Sequence, residues 1–492
     1  MDRIKGFTLT LVCMSAIPLL GILTSYFVGI KYNSEFLEAL SKSLGVSQDS
    51  LSEKNISFAS YCAKTITDDK VCSYVKDIEL LNNASMLMLA LGIGLVLFII
   101  LARMSVGSNR ARLAWIFNPT TIIAVGALSV SVLVQSGTFT YAVYLLESTF
   151  LGRVHFLALG AVAIAGLFAS ITLLSTAFTM NKEQPMIVFG KKLMLVNGDK
   201  LVALVNSIAS KTNAEKPDNV IVGLEPSFYV TAAKIKLAKT GEVLTGTSMY
   251  VSLSFLSILN EDELTAVIGH ELGHFKGQDT IYSLKFSPAY SRLNKSVNSV
   301  KDEGVASLPA LATLGFVFSE FATVEREIGR LRELEADKVG ASLNGPLALV
   351  TALLKFSLFA SEWNSLRQFN VNKLNEGIIY PNLADLHKQL ANIQFENINF
   401  DDVYQSLLGV QTSHPTDTHP SIKQRMASLG VDEQTISKDM LLPSDVSLSN
   451  YLINANEIAE EITLDEHRLV IELGYAKLPE QNADKEQESA PA

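Results

Sequence analysis

The sequence predicts a protein in two parts: an α-helical membrane part of about four spans, then a mainly α soluble domain with a small sheet. Three observations predict it. Long uncharged runs crowd the first 181 residues, and only 18% of the 492 residues are charged, so apolar residues are gathered in those runs. After Asn181 the composition turns to mixed charged and apolar sequence, which continues to about residue 475. The formal net charge of -10, from 40 Lys and Arg against 50 Asp and Glu, offers no basic field for a phosphate backbone. Nucleic acid is therefore not an expected partner.

The run Phe7 to Ile30 has 24 residues without a charge and follows Arg3 and Lys5, long enough to cross a hydrocarbon core of about 30 Å. It exceeds the roughly 7–15 residues of a signal-peptide apolar region, and no clear small-x-small cleavage site follows. A retained anchor is the expectation, with a cleaved signal peptide as the alternative. The runs Leu80 to Ala102, Leu113 to Leu146 and Val154 to Asn181 place further spans near 84–102, 116–136 and 155–179. Basic residues flank alternate ends: Arg3 and Lys5, then Arg103, Arg110 and Arg112 with no acid between them, then Lys182, Lys191 and Lys192. The positive-inside rule puts those flanks and the soluble domain in the cytoplasm.

Lys31 to Asn83 then lies outside, where a disulfide can persist, and it holds Cys62 and Cys72. These two are the expected pair, two unpaired thiols being the alternative; Cys13 sits inside an apolar run. The division expected is a first span with its short cytoplasmic start (1–30), an outer loop (31–83), three further spans (84–181), the soluble domain (182–440), and a C-terminal helix with a disordered tail (441–492).

Between Asn219 and Ser254 the chain is rich in Val, Thr, Tyr and Phe and is broken at Gly223, Pro226 and Gly241, which reads as short antiparallel strands. Asn260 with Glu263 forms a capping-box signature before Leu264, Val267, Ile268 and Leu272, predicting a helix over about 261–276. Phe321, Val324, Ile328, Leu331 and Leu334 recur at helical spacing, predicting a second helix over about 319–342. Most of the remainder also reads helical.

On the first of these helices lies His270-Glu271-Leu272-Gly273-His274. Histidines at i and i+4 share one face and can bind one tetrahedral zinc, while Glu271 reaches a water beside the metal. With seven His in the chain, a chance HExxH has a probability of about 0.5%. Such a zinc needs a third protein ligand and an open fourth position. The candidate is Glu333 in Arg332-Glu333-Leu334-Glu335-Ala336-Asp337, where Asp337 shares its face and can hydrogen-bond a ligand imidazole. Alone, this pair would read as a solvated, salt-bridged helix face.

In GHELGHFKGQD at 269–279, RELEAD at 332–337 and THPSIKQR at 418–425, the chain resembles the integral-membrane zinc metallopeptidase family of the HtpX heat-shock proteases and the CaaX prenyl endopeptidases. The three segments come in that family's order, and the resemblance covers about 190–430. It implies a zincin-like α+β domain of the HExxH gluzincin type, one zinc per chain on His270, His274 and Glu333, and Glu271 as catalytic base. By the same resemblance His419, with Arg425, faces the developing oxyanion; His414-Pro415 offers a second register. Asp279 matches the family pattern as well, either as partner to a ligand or as a helix-terminal surface residue. The chain departs from the family between the HExxH helix and the third ligand. Two membrane segments are found there in the family, against one 16-residue uncharged stretch here, Gly304 to Ser319, which must be a core helix or a segment dipping into the membrane.

The expected function is a membrane-bound zinc metalloendopeptidase that hydrolyses peptide bonds through zinc-activated water, acting in quality control or regulated proteolysis of membrane-associated polypeptides. The expected location is a bacterial inner membrane. An edge strand at Ser227, Phe228, Tyr229, Val230 and Thr231 is the candidate substrate-binding segment, by strand addition. The alternatives are a membrane sensor or structural protein with a silent zinc domain, disfavoured because a structural zinc needs no base beside it, and a non-proteolytic zinc hydrolase.

Overall fold

The computed structural model describes residues 3–53, 56–64, 70–179, 185–194, 200–276, 286, 289–291, 293, 308–409 and 420–477. The chain forms two compact units, one of Met1–Lys182 with Ala289–Val324, the other of Glu183–Pro288 with Glu325–Ala492.

The first unit is built on four long helices: α1 (Arg3–Leu44), α4 (Lys70–Val106), α5 (Arg110–Leu146) and α6 (Phe156–Thr179), with short α2 (Gln48–Glu53) and α3 (Phe58–Lys64) between the first two. At 1.5 Å per residue α1 is roughly 63 Å long, about twice a bilayer core, so its uncharged half can span while the rest projects. On the projecting part Tyr32 and Phe36 pack against Phe58, Tyr61 and Tyr74. Cys62 and Cys72 are disulfide-bonded there, tying α3 to α4, the pair expected for an outer segment. Within the apolar bundle, several polar side chains satisfy one another or the backbone. Ser129 and Ser170 hydrogen-bond reciprocally between α5 and α6, and Gln135 Nε2 donates to the Met14 carbonyl.

The second unit holds two small sheets. Strands β1 (Met186–Val188), β5 (Ile235–Leu237) and β6 (Val243–Leu244) form one in the order β1-β5-β6. The other has the order β2-β3-β7-β4, from β2 (Lys191–Leu193), β3 (Asn219–Gly223), β4 (Tyr229–Thr231) and β7 (Ser248–Ser252). The expectation of wholly antiparallel strands is corrected: β3 pairs with β7, and β1 with β5, in parallel. After β3 the chain makes edge strand β4 and the β5-β6 hairpin before returning as β7 in its original direction, a crossover long enough for a parallel pair.

Around the sheets pack α7 (Lys200–Thr212), α8 (Leu253–Leu256), α9 (Glu261–Gly273), α10 (Leu308–Asn344, divided between the units after Val324), α11 (Pro346–Asn375), α12 (Leu383–Asn397), α13 (Phe400–Gly409), α14 (Ile422–Leu429) and α15 (Ala455–Glu472). Six helices among the described residues are long and apolar enough to cross a membrane: α1, α4, α5 with the turn after it, α6, α10 and α11. The last two carry much of their apolar surface into protein cores. In the first unit, Phe316 of α10 meets Phe7 of α1 with ring centroids 6.0 Å apart, and Phe321 meets Phe117 of α5 at 5.2 Å. The described part of the uncharged stretch, 308–319, is thus the start of a helix packed on two others, at their basic-flanked ends. In α11, Val350, Leu354, Leu358, Phe359, Trp363 and Leu366 join the core that α7, α9 and the four-stranded sheet share. Ile458, Ala459 and Ile462 of α15 belong to that core too, so the second unit continues past the boundary expected at residue 440. The proposed tail from Glu480 lies outside the described residues.

Candidate metal centre

The site is built where α9 crosses α10. Helix α9 begins as its sequence predicts: Asn260 Oδ1 accepts from the Glu263 N–H at 2.8 Å, and Glu263 returns a carboxylate to the Asn260 N–H at 2.9 Å. The same Glu263 carboxylate accepts from Lys355 Nζ of α11 at 2.8 Å, both side chains being buried, which fixes the start of α9 to the core. The helix ends at Gly273, three residues before the predicted end, and His274 is its C-cap.

Small residues set the crossing. A Cβ on Gly340 of α10 would stand 2.5 Å from the Ala266 carbonyl oxygen and 3.1 Å from the His270 nitrogen. One on Gly273 would meet the Ala336 Cα at 3.2 Å. The backbones can approach this closely only because Gly269 and Gly273 on one helix face Ala336 and Gly340 on the other. Each of those residues adjoins, or lies a turn from, a site side chain, so the close contact is what brings two histidines and a carboxylate together.

His270 Nε2 lies 3.6 Å from one oxygen of Glu333, and His274 Nε2 lies 3.4 Å from the other. Single donor atoms of the three residues all lie within 4.8 Å of one another, so the cluster could hold a metal ion. Donors bound at about 2.0–2.1 Å around one tetrahedral ion stand roughly 3.3 Å apart, close to the two separations seen. Behind the cluster, Asp337 is fully buried; one of its oxygens sits 3.0 Å from His270 Nδ1, which leaves Nε2 directed at the metal position. Arg425 of α14 holds Asp337 in turn, donating from Nε at 2.9 Å to one oxygen and from Nη2 to the other. Two of its donors are therefore committed to Asp337. The Nδ1 atoms of His270 and His274 are both buried without a hydrogen bond of good geometry among the described residues, that of His270 facing the Asp337 carboxylate as an ion pair. Asp279, His414 and His419 lie outside the described residues.

Glu271 lines a cleft of about 380 Å³ together with His270, Glu333 and Arg425. Ser227 and Phe228 form part of the same wall, followed by β4, the terminal strand of its sheet in the register Tyr229–Tyr250, Val230–Met249 and Thr231–Ser248. Val267, Leu349, Leu353 and Phe356 supply its apolar side. Burial pushes the Glu271 carboxyl above the ordinary carboxylate range, against the opposing pull of His270 and His274. For His270 burial is the largest influence and disfavours the imidazolium, but the Asp337 and Glu333 carboxylates together outweigh it and raise its pKa to about 9.

Sequence reasoning named the ligating and acidic residues but missed Gly340, Ala336, Lys355 and the apolar wall. The helix contact had a visible signal. Small residues recur four apart at 269 and 273 and again at 336 and 340, interleaved with the motif residues. The Lys355–Glu263 pair had none, because a lysine in an amphipathic helix reads as solvated until the fold places it.

Two predictions follow from this geometry. Gly340→Ala should separate the helices, costing about 1–3 kcal/mol and weakening metal affinity, as measured by chemical unfolding and by chelator competition; undiminished affinity would detach the ligands from the crossing. A metal takes only neutral imidazole, and His270 in the metal-free protein keeps its proton up to about pH 9. Below that pH, metal uptake should release about one proton per site and tighten as pH rises. Calorimetry in buffers of different ionisation enthalpy reads this directly, and zero proton release at neutral pH would contradict it.

A model of peptidase family M48 matches residues 197–431. Proteins similar to this chain include an HtpX protease homologue of Archaeoglobus fulgidus, 31% identical over 170 residues that make up 33% of this chain and 48% of that protein. Another homologue, from Thermoplasma volcanium, is 33% identical over 33% of this chain and 52% of its own length. The HtpX protease of Legionella pneumophila is 28% identical over 39% and 64%. The chain thus spans about half the length of the first of these relatives. A crystal structure of S. mikatae Ste24p aligns over 85% of this chain and 98% of its own, at 13% identity and a TM-score of 0.28. The matched segment contains His270, Glu271, His274, Glu333, Asp337 and Arg425 together, and over that segment the chain is similar to peptidase family M48.

Proposed function

We propose that this protein is a membrane-bound zinc metalloendopeptidase whose catalytic domain faces the cytoplasm of a bacterial cell, acting on membrane-associated polypeptides in quality control or regulated proteolysis. The observation that carries this reading is the convergence of His270, His274 and Glu333 donors in a cleft that Glu271 also lines. Two imidazoles and one carboxylate suit zinc and leave a position for water or substrate. When bound there, zinc supplies Lewis acidity that activates water and polarises the scissile carbonyl.

The chain's own residues do the rest. Glu271 takes the proton from the attacking water and returns it to the leaving amine, work for which a carboxyl with a raised pKa is suited near neutral pH. The Asp337 carboxylate, 3.0 Å from His270 Nδ1, favours a proton on that nitrogen and so the tautomer that offers Nε2; Arg425 locks Asp337 in place. His419 is the proposed donor to the developing oxyanion. Ser227, Phe228, Tyr229, Val230 and Thr231 are proposed to receive an extended substrate along β4, whose pairing with β7 uses one edge only among the described strands. Asp279 is proposed as a partner for His274.

Detergent-purified protein with Glu271→Gln should retain about one zinc while losing cleavage of casein or a membrane substrate by roughly 10²–10⁴-fold. Loss of zinc with activity would leave the base unassigned, and unchanged cleavage would remove Glu271 from the reaction. Proline placed in turn at Tyr229, Val230 and Thr231 should impair cleavage most where the replaced N–H faces away from β7, since that donor is free for substrate but not needed by the sheet. Equal kinetics at all three positions would dismiss strand addition.

A further inference from the structure

The three-stranded sheet of the second unit has one face that its own core satisfies and one that nothing among the described residues covers. Val188, Ile235, Leu237 and Leu244 are buried against Ile221 and Tyr250. On the other face the strand register sets Ile187 beside Lys236 and Lys236 beside Val243. Ile187 is 63% exposed, Val243 52% exposed, and Lys236 is exposed between them. A sheet face turned to water is ordinarily polar, and here two branched aliphatics flank a lysine.

The covalent chain limits where this row can be. Helix α6 ends at Thr179, and Ile187 follows eight residues later. A chain extends at most 3.3–3.6 Å per residue, so eight residues can carry Ile187 no more than about 29 Å along the chain from the end of a helix apolar enough to span a bilayer. Apolar side chains that enter the headgroup boundary beside a lysine, whose stem lies along the apolar surface while its ammonium meets an anionic headgroup, are the chemistry of a peripheral membrane contact. A symmetric contact with a second copy, centred on this row, would bring one Lys236 against another. Lys191 and Lys239 do not add to the row's charge in the same way, since both are paired with Glu461.

We propose that the Ile187–Lys236–Val243 face is a docking surface for an anionic lipid bilayer. It adds a second attachment of this unit to the membrane beyond the spans, and it does not depend on the zinc reading above. The test uses the full chain with Cys13→Ser, which leaves Cys62 and Cys72 bridged, and an environment-sensitive fluorophore on Ile187→Cys, Val243→Cys or the exposed reference Glu457→Cys. Proteins are reconstituted in phosphatidylcholine vesicles, with or without phosphatidylglycerol, that carry spin-labelled lipid. Quenching at 187 and 243 should be at least about twofold that at 457, should rise with phosphatidylglycerol, and should lose that rise on Lys236→Glu. Quenching no greater than at 457 would overturn the proposal. So would shielding at 187 and 243 that ignores the labelled lipid and grows with protein density, which would assign the face to a second copy.

Discussion

The metal centre depends on two helices touching at their backbones. With Gly340 against Ala266 and His270, and Gly273 against Ala336, α9 and α10 approach closely enough for side chains one turn apart on each to converge. A Cβ at the tightest of these points would overlap a carbonyl oxygen, and the helices would have to part by a distance that matters to ligands whose bonds are about 2 Å long. The remaining features act on a geometry this contact has already set.

Charged groups then hold that geometry from both sides. At the far end of α9, the buried Lys355–Glu263 pair joins the helix start to α11, and Glu263 serves as capping residue as well. On the α10 side, Arg425 fixes Asp337 through charge-assisted hydrogen bonds, and the Asp337 carboxylate stands 3.0 Å from His270 Nδ1, a chain of charges that runs from α14 to the metal position. The arrangement carries a built-in competition. The carboxylates that orient His270 for a metal also favour its proton, so an incoming cation must displace that proton. Burial of Glu271 in the same cleft raises its affinity for a proton, which suits a group that must accept one and give it back.

Much of this was legible in the residues because the chemistry demands local spacing. Histidines at i and i+4, a glutamate between them, and a carboxylate pair at i and i+4 show themselves without a fold, and the uncharged runs likewise announced four helices and a bridged outer segment. What stayed hidden is non-local. The parallel pairing of β3 with β7 depends on where the chain returns after three intervening strands, which alternation within each strand cannot express. The length of α10 was hidden in another way: its start, within 304–319, read as a separate stretch from the helix over about 319–342, and for α11, read only as helical, packing alone shows Trp363 and Phe359 in the core around α9. Lys355 reads as a surface residue until its partner, 92 positions away, is placed beside it.

The central claim is that the crossing of α9 and α10 creates a site with three protein ligands, two imidazoles and one carboxylate, and one open position. X-ray absorption at the zinc edge of the metal-loaded full-length protein measures this most directly. The account predicts two imidazole nitrogens and oxygen scatterers at about 2.0–2.1 Å, no sulfur, and an oxygen lost when a chelating inhibitor is added. A shell of three imidazoles, a sulfur ligand, or four protein donors that no inhibitor displaces would contradict it.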